Sequence, residues 1–202
     1  MNISIRKGFT LWFTGLPCAG KTSLASALFK IFKSAGCHSE HLDGDVLRKS
    51  LSKDLGFSKK DRKSHVLRVA TVAALLSQNG IITLVSLISP HRITRRKARR
   101  MIRNFIEVYV QCPIEVCEKR DVKGHYRLAR AGRLKHFTGI SDPYERPTAP
   151  EIIVRTDQAA LEASVRQVMD YLERFGWIVR QKPEVRKPMA KKLQSRTSPQ
   201  KA

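Results

Sequence analysis

A chain of 202 residues with 42% apolar content is long enough to close one domain around a proper core, and it contains no apolar stretch of the length needed to span a bilayer. Its formal net charge of +22 predicts anionic partners, whether nucleotides, nucleic acid or acidic surfaces, and does not choose among them. Four cysteines, Cys18, Cys37, Cys112 and Cys117, show no C-x-x-C spacing and read as thiols of a reducing, cytoplasmic compartment.

Arg6-Lys7 and the apolar run behind them superficially resemble a secretory leader. The run ends in a glycine loop, however, and reads as a buried first strand, Phe9-Thr10-Leu11-Trp12-Phe13-Thr14. A soluble protein with no membrane partner is expected. The loop itself, Gly15-Leu16-Pro17-Cys18-Ala19-Gly20-Lys21-Thr22, fits G-x-x-x-x-G-K-[ST] in full, and behind it Leu24, Ala25, Leu28, Phe29 and Phe32 recur at helical spacing. Strand, glycine loop and helix together make an anion site. The loop amides, through Ser23 at the helix start, cradle the phosphates of ATP, Lys21 reaches the outer ones, and the Thr22 hydroxyl can bind Mg²⁺. An ordinary glycine turn would not explain Lys21-Thr22.

Gly36 is a helix stop, and Ser39-Glu40-His41-Leu42 is a short second strand. It delivers Asp43-Gly44-Asp45 to the edge where open α/β sheets bind ligands. One of these carboxylates can hold Mg²⁺ through water or accept a proton from an attacking hydroxyl; a solvated Asp-Gly turn is the plain alternative. Val46-Leu47-Arg48 begins a short helix, Leu55-Gly56-Phe57 breaks the chain, and Ser58-Lys59-Lys60-Asp61 is a capping box for a long helix ending at Asn79-Gly80. The apolar stripe of that helix, Val66, Val69, Ala73 and Leu76, extends backwards through Arg62 and His65, so its polar first turns should face a cavity.

Residues 81–88 read as a central parallel strand ending at Ser89-Pro90. A substrate-binding side chain belongs there, and Ser as N-cap with Pro at N1 would also open the next helix. Arg92, Arg95, Arg96, Lys97, Arg99, Arg100 and Arg103 follow without an acidic residue and read mostly as a solvated helix face. Phe105-Ile106-Glu107-Val108-Tyr109-Val110 is another buried strand, and Pro113 opens a helix to about Lys119. Arg120, Lys123, Arg127, Arg130, Arg133 and Lys135 then mark a basic lid over about 120–140, suited to closing over triphosphate charge and excluding water. Residues 151–154 are the last clear strand, 157–175 an amphipathic helix, and Trp177-Ile178-Val179 a short further strand.

The alternation of strand and helix predicts an α/β fold, a three-layer P-loop NTPase-type sheet that is mostly parallel with helices on both faces. Residues 1–180 form this domain. Residues 181–202 form a basic tail, in which seven basic residues from Lys182 onward face only Glu184; such a tail cannot bury enough apolar surface to order itself and is available to anionic partners.

From about Lys7 to Asp157 the sequence resembles the adenylylsulfate kinase (APS kinase) family of P-loop kinases. The resemblance rests on blocks in order: the strand and phosphate loop, Leu42-Asp43-Gly44-Asp45, Asp54-Leu55-Gly56-Phe57-Ser58 with Asp61-Arg62, Ile88-Ser89-Pro90, residues 105–110, Ala129-Arg130-Ala131-Gly132, Phe137-Thr138-Gly139-Ile140 and Pro143-Tyr144-Glu145. It implies transfer of the γ-phosphate of MgATP to the 3′-hydroxyl of adenosine 5′-phosphosulfate (APS), giving 3′-phosphoadenosine 5′-phosphosulfate in sulfate assimilation. It also implies a homodimer and a possible sulfurylase partner. By the same resemblance Lys21, Asp45 and Ser89 are the catalytic positions, and Thr22 and Asp45 attend Mg²⁺. Asp45, Arg48, Phe57, Arg62, His65, Ile88 and Ser89 form the APS pocket, and Arg127 and Ile140 belong to a mobile lid. Ser89 matches a serine described in the family as phosphorylated; in-line transfer needs no such intermediate, which favours a positioning role.

Two departures from the family pattern stand out: His65 replaces its usual Asn, next to the acceptor's anionic end, and Leu67 replaces its Arg. Pro17-Cys18 replaces a pair such as Ser-Gly, and Cys18 is placed for a thiol switch on ATP binding, although small residues also fit such loops for steric reasons. A diverged small-molecule or nucleoside kinase, or a weakly active homologue binding nucleic acid or an acidic partner, are the alternative readings.

Overall fold

The computed structural model describes residues 2–181; apart from Gln181, the tail expected at 181–202 lies outside them. The elements in chain order are β1 (Asn2–Ile5), β2 (Thr10–Thr14), α1 (Lys21–Ser34), β3 (Ser39–Asp43), α2 (Gly44–Lys49), α3 (Lys59–Gln78) and β4 (Ile82–Ser86). They continue with α4 (Arg92–Met101), β5 (Phe105–Gln111), α5 (Ile114–Lys119), α6 (His125–Arg130), β6 (Ile152–Arg155), α7 (Leu161–Arg174) and β7 (Ile178–Gln181). No helix among the described residues is long and apolar enough to cross a membrane.

Five strands form one parallel sheet in the order β3-β4-β2-β5-β6. Strand β2 sits at its centre, and all five of its residues are buried because helices cover both faces. Its alternation divides the core. Leu11 and Phe13 join Leu24, Leu28, Phe32, Val168 and Leu172 beneath α1 and α7, whereas Trp12 joins Val69, Ala73, Ala98 and Phe105 beneath α3 and α4. A parallel sheet collects the carboxyl ends of β2, β3 and β4 on one edge, which is where the phosphate loop, Asp43 and Ser89 emerge.

Several local expectations are corrected. Strands β1 and β7 pair antiparallel in a separate two-stranded ribbon that no local pattern announced before residue 9. Helix α4 begins at Arg92 with His91 as its N-cap, so Ser89-Pro90 does not cap it. Pro113 is the N-cap of α5, and α7 begins at Leu161, four residues later than expected.

The arginines of α4 are also not simply a solvated face. Arg95 is only 3% exposed. Its Nε donates to Glu107 Oε1 at 2.8 Å, Nη1 to the Ser89 carbonyl at 2.6 Å and Nη2 to the Glu145 carbonyl at 2.6 Å. Arg99 forks onto Glu151 at 2.6 and 2.7 Å, and Glu151 in turn accepts from the Glu107 amide at 2.6 Å. Buried charges persist only when every one has partners, so these four residues stand or fall as a unit. Glu107→Ala is expected to strand Arg95 and to lower stability by about 3–5 kcal/mol in urea unfolding; a loss within that of an ordinary surface substitution would show the network to be dispensable.

Candidate active site

The phosphate loop is built without room for alternatives at its first glycine: a Cβ on Gly15 would lie 2.4 Å from the Val110 carbonyl oxygen of β5. Gly20 caps α1 at φ 93°, a left-handed conformation that side chains resist. Between them Cys18 sits at φ 59°, so the departure from glycine retains the loop geometry at a backbone cost of about 1–3 kcal/mol. Burial, followed by the neighbouring Asp121 carboxylate, raises the Cys18 thiol above its ordinary pKa. That keeps the sulfur protonated and speaks against the thiol-switch reading.

Lys21 is 8% exposed, and its Nζ donates to the carbonyls of Gly15 at 3.1 Å and Leu16 at 2.6 Å. Burial lowers its pKa to about 8, which leaves it mainly cationic at neutral pH. Neutral carbonyls are weaker acceptors than phosphate oxygens for an ammonium group, so the lysine is mounted to exchange the former for the latter.

Thr22 does not reach Asp45. Its Oγ1 donates to Asp43 Oδ2 at 2.8 Å, and Ser86 at the end of β4 donates to the same oxygen at 2.9 Å. Asp43 Oδ1 accepts from the amides of Asp45 at 2.9 Å and Val46 at 3.3 Å, which caps α2. Burial alone would raise the Asp43 pKa, but these four donors outweigh it and hold the carboxyl below its ordinary value. Asp45 instead stands at the rim, its side chain 80% exposed, with Lys123 Nζ at 3.2 Å. Sequence reading placed both carboxylates at the strand end and selected Asp45; the geometry adds Asp43 as the partner of Thr22.

Beyond the loop on one side lies a cavity of about 600 Å³, lined by Cys18, Lys21, Thr22, Arg120, Thr156 and Leu161 among others. Thr156 Oγ1 donates to the Ala19 carbonyl at 2.8 Å, and Arg120 donates to Thr156 at 3.2 and 2.7 Å. The segment after β6 therefore forms the far wall of the phosphate site, a role no short motif flagged. Ser23 lies exposed at the start of α1.

On the other side, Phe57 is 54% exposed and flanked by the guanidinium groups of Arg48 at 4.5 Å and Arg62 at 5.6 Å from its ring centroid. Arg48 donates to the Gly56 carbonyl at 2.9 Å, and Arg62 to Phe57 and His136 carbonyls. Burial lowers the pKa of both arginines, with the like charge of Arg48 adding to the effect on Arg62. His65 is buried one turn further along α3. Its Nδ1 shares a 2.9 Å hydrogen bond with Ser52 Oγ, while Nε2 is buried without a partner among the described residues. Burial first, then the charges of Arg48, Arg68 and Arg62, lower its pKa to about 4, so the ring is neutral at pH 7.

Ile88 and Ser89 follow the end of β4. Ser89 is 2% exposed at φ 39°; its hydroxyl accepts from Trp12 Nε1 at 3.1 Å and donates to Thr14 Oγ1 at 3.0 Å. Thr14 donates to the Ile88 carbonyl at 2.8 Å. A hydroxyl so enclosed helps fix the chain just beyond β4.

The basic segment expected to act as a lid contains α6 and rests on the loop. Buried Tyr126 donates to the Pro17 carbonyl at 3.1 Å, packs edge-on against Phe137 at 4.8 Å, and Gly139 passes so near Leu16 that a Cβ there would lie 2.9 Å from it. Arg127 is exposed on the lid helix and Ile140 half-buried beyond it. Thus Lys21, Thr22 and Asp43 converge on one side of the Asp43–Asp45 turn, Arg48, Phe57, Arg62 and His65 gather on the other, and Ser89 stays behind them.

Known proteins resemble this chain over most of its length. Residues 7–155 match the sequence profile described as adenylylsulphate kinase. The chain is 53% identical over 173 residues to an adenylyl-sulfate kinase of Halothermothrix orenii, covering 86% of this chain and 94% of that one. It is 52% identical over 172 residues to one of Picosynechococcus sp., covering 85% and 97%. Its structure superposes with a TM-score of 0.79 on the APS kinase of Mycobacterium tuberculosis solved in complex with AMPPNP and APS, at 41% identity, covering 83% of this chain and 98% of that one.

The His65 environment has a measurable consequence. Its folded pKa of about 4 lies below the ordinary 6.5, so the unfolded chain takes up the proton first as pH falls. Its contribution is fully present above pH 6.5 and is lost as pH falls toward 4, by up to about 3 kcal/mol. Denaturant unfolding at pH 7, 5.5 and 4.5 should show a smaller acid loss for His65→Asn than for the natural chain; equal acid sensitivity would mean that the imidazole is solvated.

Proposed function

Because the chain belongs to the adenylylsulphate kinase family, we propose that it transfers the γ-phosphate of ATP to the 3′-hydroxyl of adenosine 5′-phosphosulfate. The observation that supports this most directly is the pairing of two unlike pockets across the Asp43–Asp45 turn. One is a phosphate loop with a buried lysine; the other is an exposed aromatic ring held between two arginines.

In this reading the loop amides of residues 15–23 and Lys21 hold the triphosphate, and the cavity beside Arg120 and Thr156 takes the nucleoside. Phe57 supplies a stacking face for the acceptor's adenine, and Arg48 and Arg62 exchange backbone carbonyls for the oxygens of its phosphosulfate. His65, neutral, contributes a hydrogen bond there, while Ile88 and Ser89 shape the wall. Arg127 and Ile140 act with the lid when it covers the substrates.

The acceptor's 3′-oxygen bonds to the γ-phosphorus as the bond from that phosphorus to the β–γ bridging oxygen breaks. Asp45 receives the hydroxyl proton, and ADP leaves with the bridging oxygen. Mg²⁺ fits the donor set, since a magnesium ion needs one or two carboxylates plus phosphate oxygens and water, and Thr22, ionised Asp43 and Asp45 offer these oxygens at the loop mouth. When bound it neutralises phosphate charge. Lys21 does the same from the protein side.

Phosphate transfer from labelled ATP with Mg²⁺, offered APS beside AMP, adenosine and a short oligonucleotide, is the direct test. Selective 3′-phosphorylation of APS is expected; preference for another acceptor would reassign the enzyme to a diverged kinase. Lys21→Ala should lower kcat by about 10²–10³-fold. Asp45→Asn should lower kcat while leaving the Kd for ATP nearly unchanged, and a change confined to ATP binding would remove Asp45 from the hydroxyl.

A further inference from the structure

Part of the α4 charge is not consumed by the fold. Arg95 and Arg99 turn inward onto Glu107 and Glu151, and Arg92 lies 3.7 Å from Glu145. Arg96, Lys97 and Arg100, with Arg103 just beyond the helix, are exposed. No ion pair engages these four among the described residues. The helix carries no acidic residue at all.

Residues four apart on a helix lie one above another. Arg92, Arg96 and Arg100 therefore form one ridge, and Ile93, Lys97 and Met101 form the ridge beside it. Ile93 is 58% exposed and Met101 38% exposed. The outer face of α4 thus presents a row of three guanidinium groups, Arg96 and Arg100 without an ion pair among the described residues and exposed Arg92 shared with Glu145, along a row that is apolar at both ends and cationic in the middle.

The two rows together narrow the occupant. A nucleic-acid strand would use the arginines and gain little from Ile93 and Met101. A second copy meeting this face by two-fold symmetry would set arginines against arginines, and the chain's own tail is basic. We propose that this face docks an acidic amphipathic segment of another protein, with carboxylates at i, i+4 and i+8 on the arginine row and apolar side chains on Ile93 and Met101. Such a contact is charge-steered and is fixed in register by its apolar row. Its position couples it to the core network, since Arg95 on the inner side of the same helix holds the Ser89 carbonyl.

Fluorescence anisotropy with the full chain at physiological salt tests this. Three labelled probes are compared: a helical peptide with glutamates at i, i+4 and i+8 beside a row of leucines, the same peptide with serines for the leucines, and a single-stranded oligonucleotide. The leucine peptide should bind at least about tenfold tighter than the serine peptide. Arg96→Glu with Arg100→Glu should weaken it by at least about tenfold, and Ile93→Ser with Met101→Ser by several-fold, with thermal midpoints unchanged. Equal binding of the two peptides, or indifference to either pair of substitutions, would overturn the proposal. So would an oligonucleotide that displaces the leucine peptide and depends on the arginines alone, which would make the face a nucleic-acid surface.

Discussion

Four donors converge on the carboxylate of Asp43, and the geometry of the site follows from that convergence. Thr22 belongs to the first turn of α1, Ser86 to the last residue of β4, and the amides of Asp45 and Val46 to the start of α2. A single ionised side chain thereby ties the phosphate loop to two adjacent strand ends and to the helix that carries Arg48. Hydrogen bonds to a charged acceptor are stronger than neutral ones, and a half-buried carboxylate with four of them does not move without breaking several at once. His41 extends the set, its Nε2 lying 2.9 Å from Ser86 Oγ. The phosphate loop and the helix that carries Arg48 keep a fixed separation because both are fastened to this residue.

Behind the acceptor pocket the chain uses a second ionic cluster for a different purpose. Arg95 holds the carbonyls of Ser89 and Glu145, which lie on segments far apart in sequence, and it can do so only because Glu107 and Glu151 neutralise the charge that burial would otherwise forbid. Tyr144 then hydrogen-bonds Thr14 and stacks on Tyr109, closing the strand end from the other side. Ser89 is thereby held in a left-handed backbone conformation by its neighbours. Its hydroxyl has a structural occupation, which is why a positioning role suits it.

The phosphate loop was legible in the sequence because everything that defines it is local: eight residues, a strand before and a helix after. Arg62 and His65 were legible as inward-facing because helical periodicity alone rotates them onto the buried stripe of Val66 and Val69. Asp43 and Asp45 were not distinguishable, since a carboxylate's partner is chosen by how the following turn bends, and here the bend gives Thr22 to Asp43. Arg95 and Arg99 could not be told from the exposed cations of α4 for a similar reason: the glutamates that neutralise them lie on β5 and just before β6, and charge counting along one helix cannot see them. Strand β1 escaped because it is too short to declare itself, and the short strand expected at Trp177-Ile178-Val179 carried no sign that it would pair with β1 across the whole domain. Arg120 and Thr156 became a wall of the cavity beside the phosphate loop only once α7 was seated there.

The site is rich in cations that rest on neutral oxygens. Lys21 is held by two loop carbonyls, Arg48 by Gly56, and Arg62 by Phe57 and His136. Each of these bonds is weaker than the charge-assisted bond the same group makes to a phosphate or sulfate oxygen, and each cation carries a burial penalty that an anion relieves. A ligand with negative charge at both ends of the turn therefore gains more than one with charge at a single end. The same exchange bears on the segment proposed to close over the substrates, because the His136 carbonyl that Arg62 holds lies within it. An anion that takes over Arg62 releases one of the lid's anchors, while Tyr126 on Pro17 keeps the other. If Arg62 takes the acceptor's anion as proposed, acceptor binding and the placement of residues 120–140 are linked through one guanidinium group, and the neutrality of His65 beside it leaves the charge to the arginines.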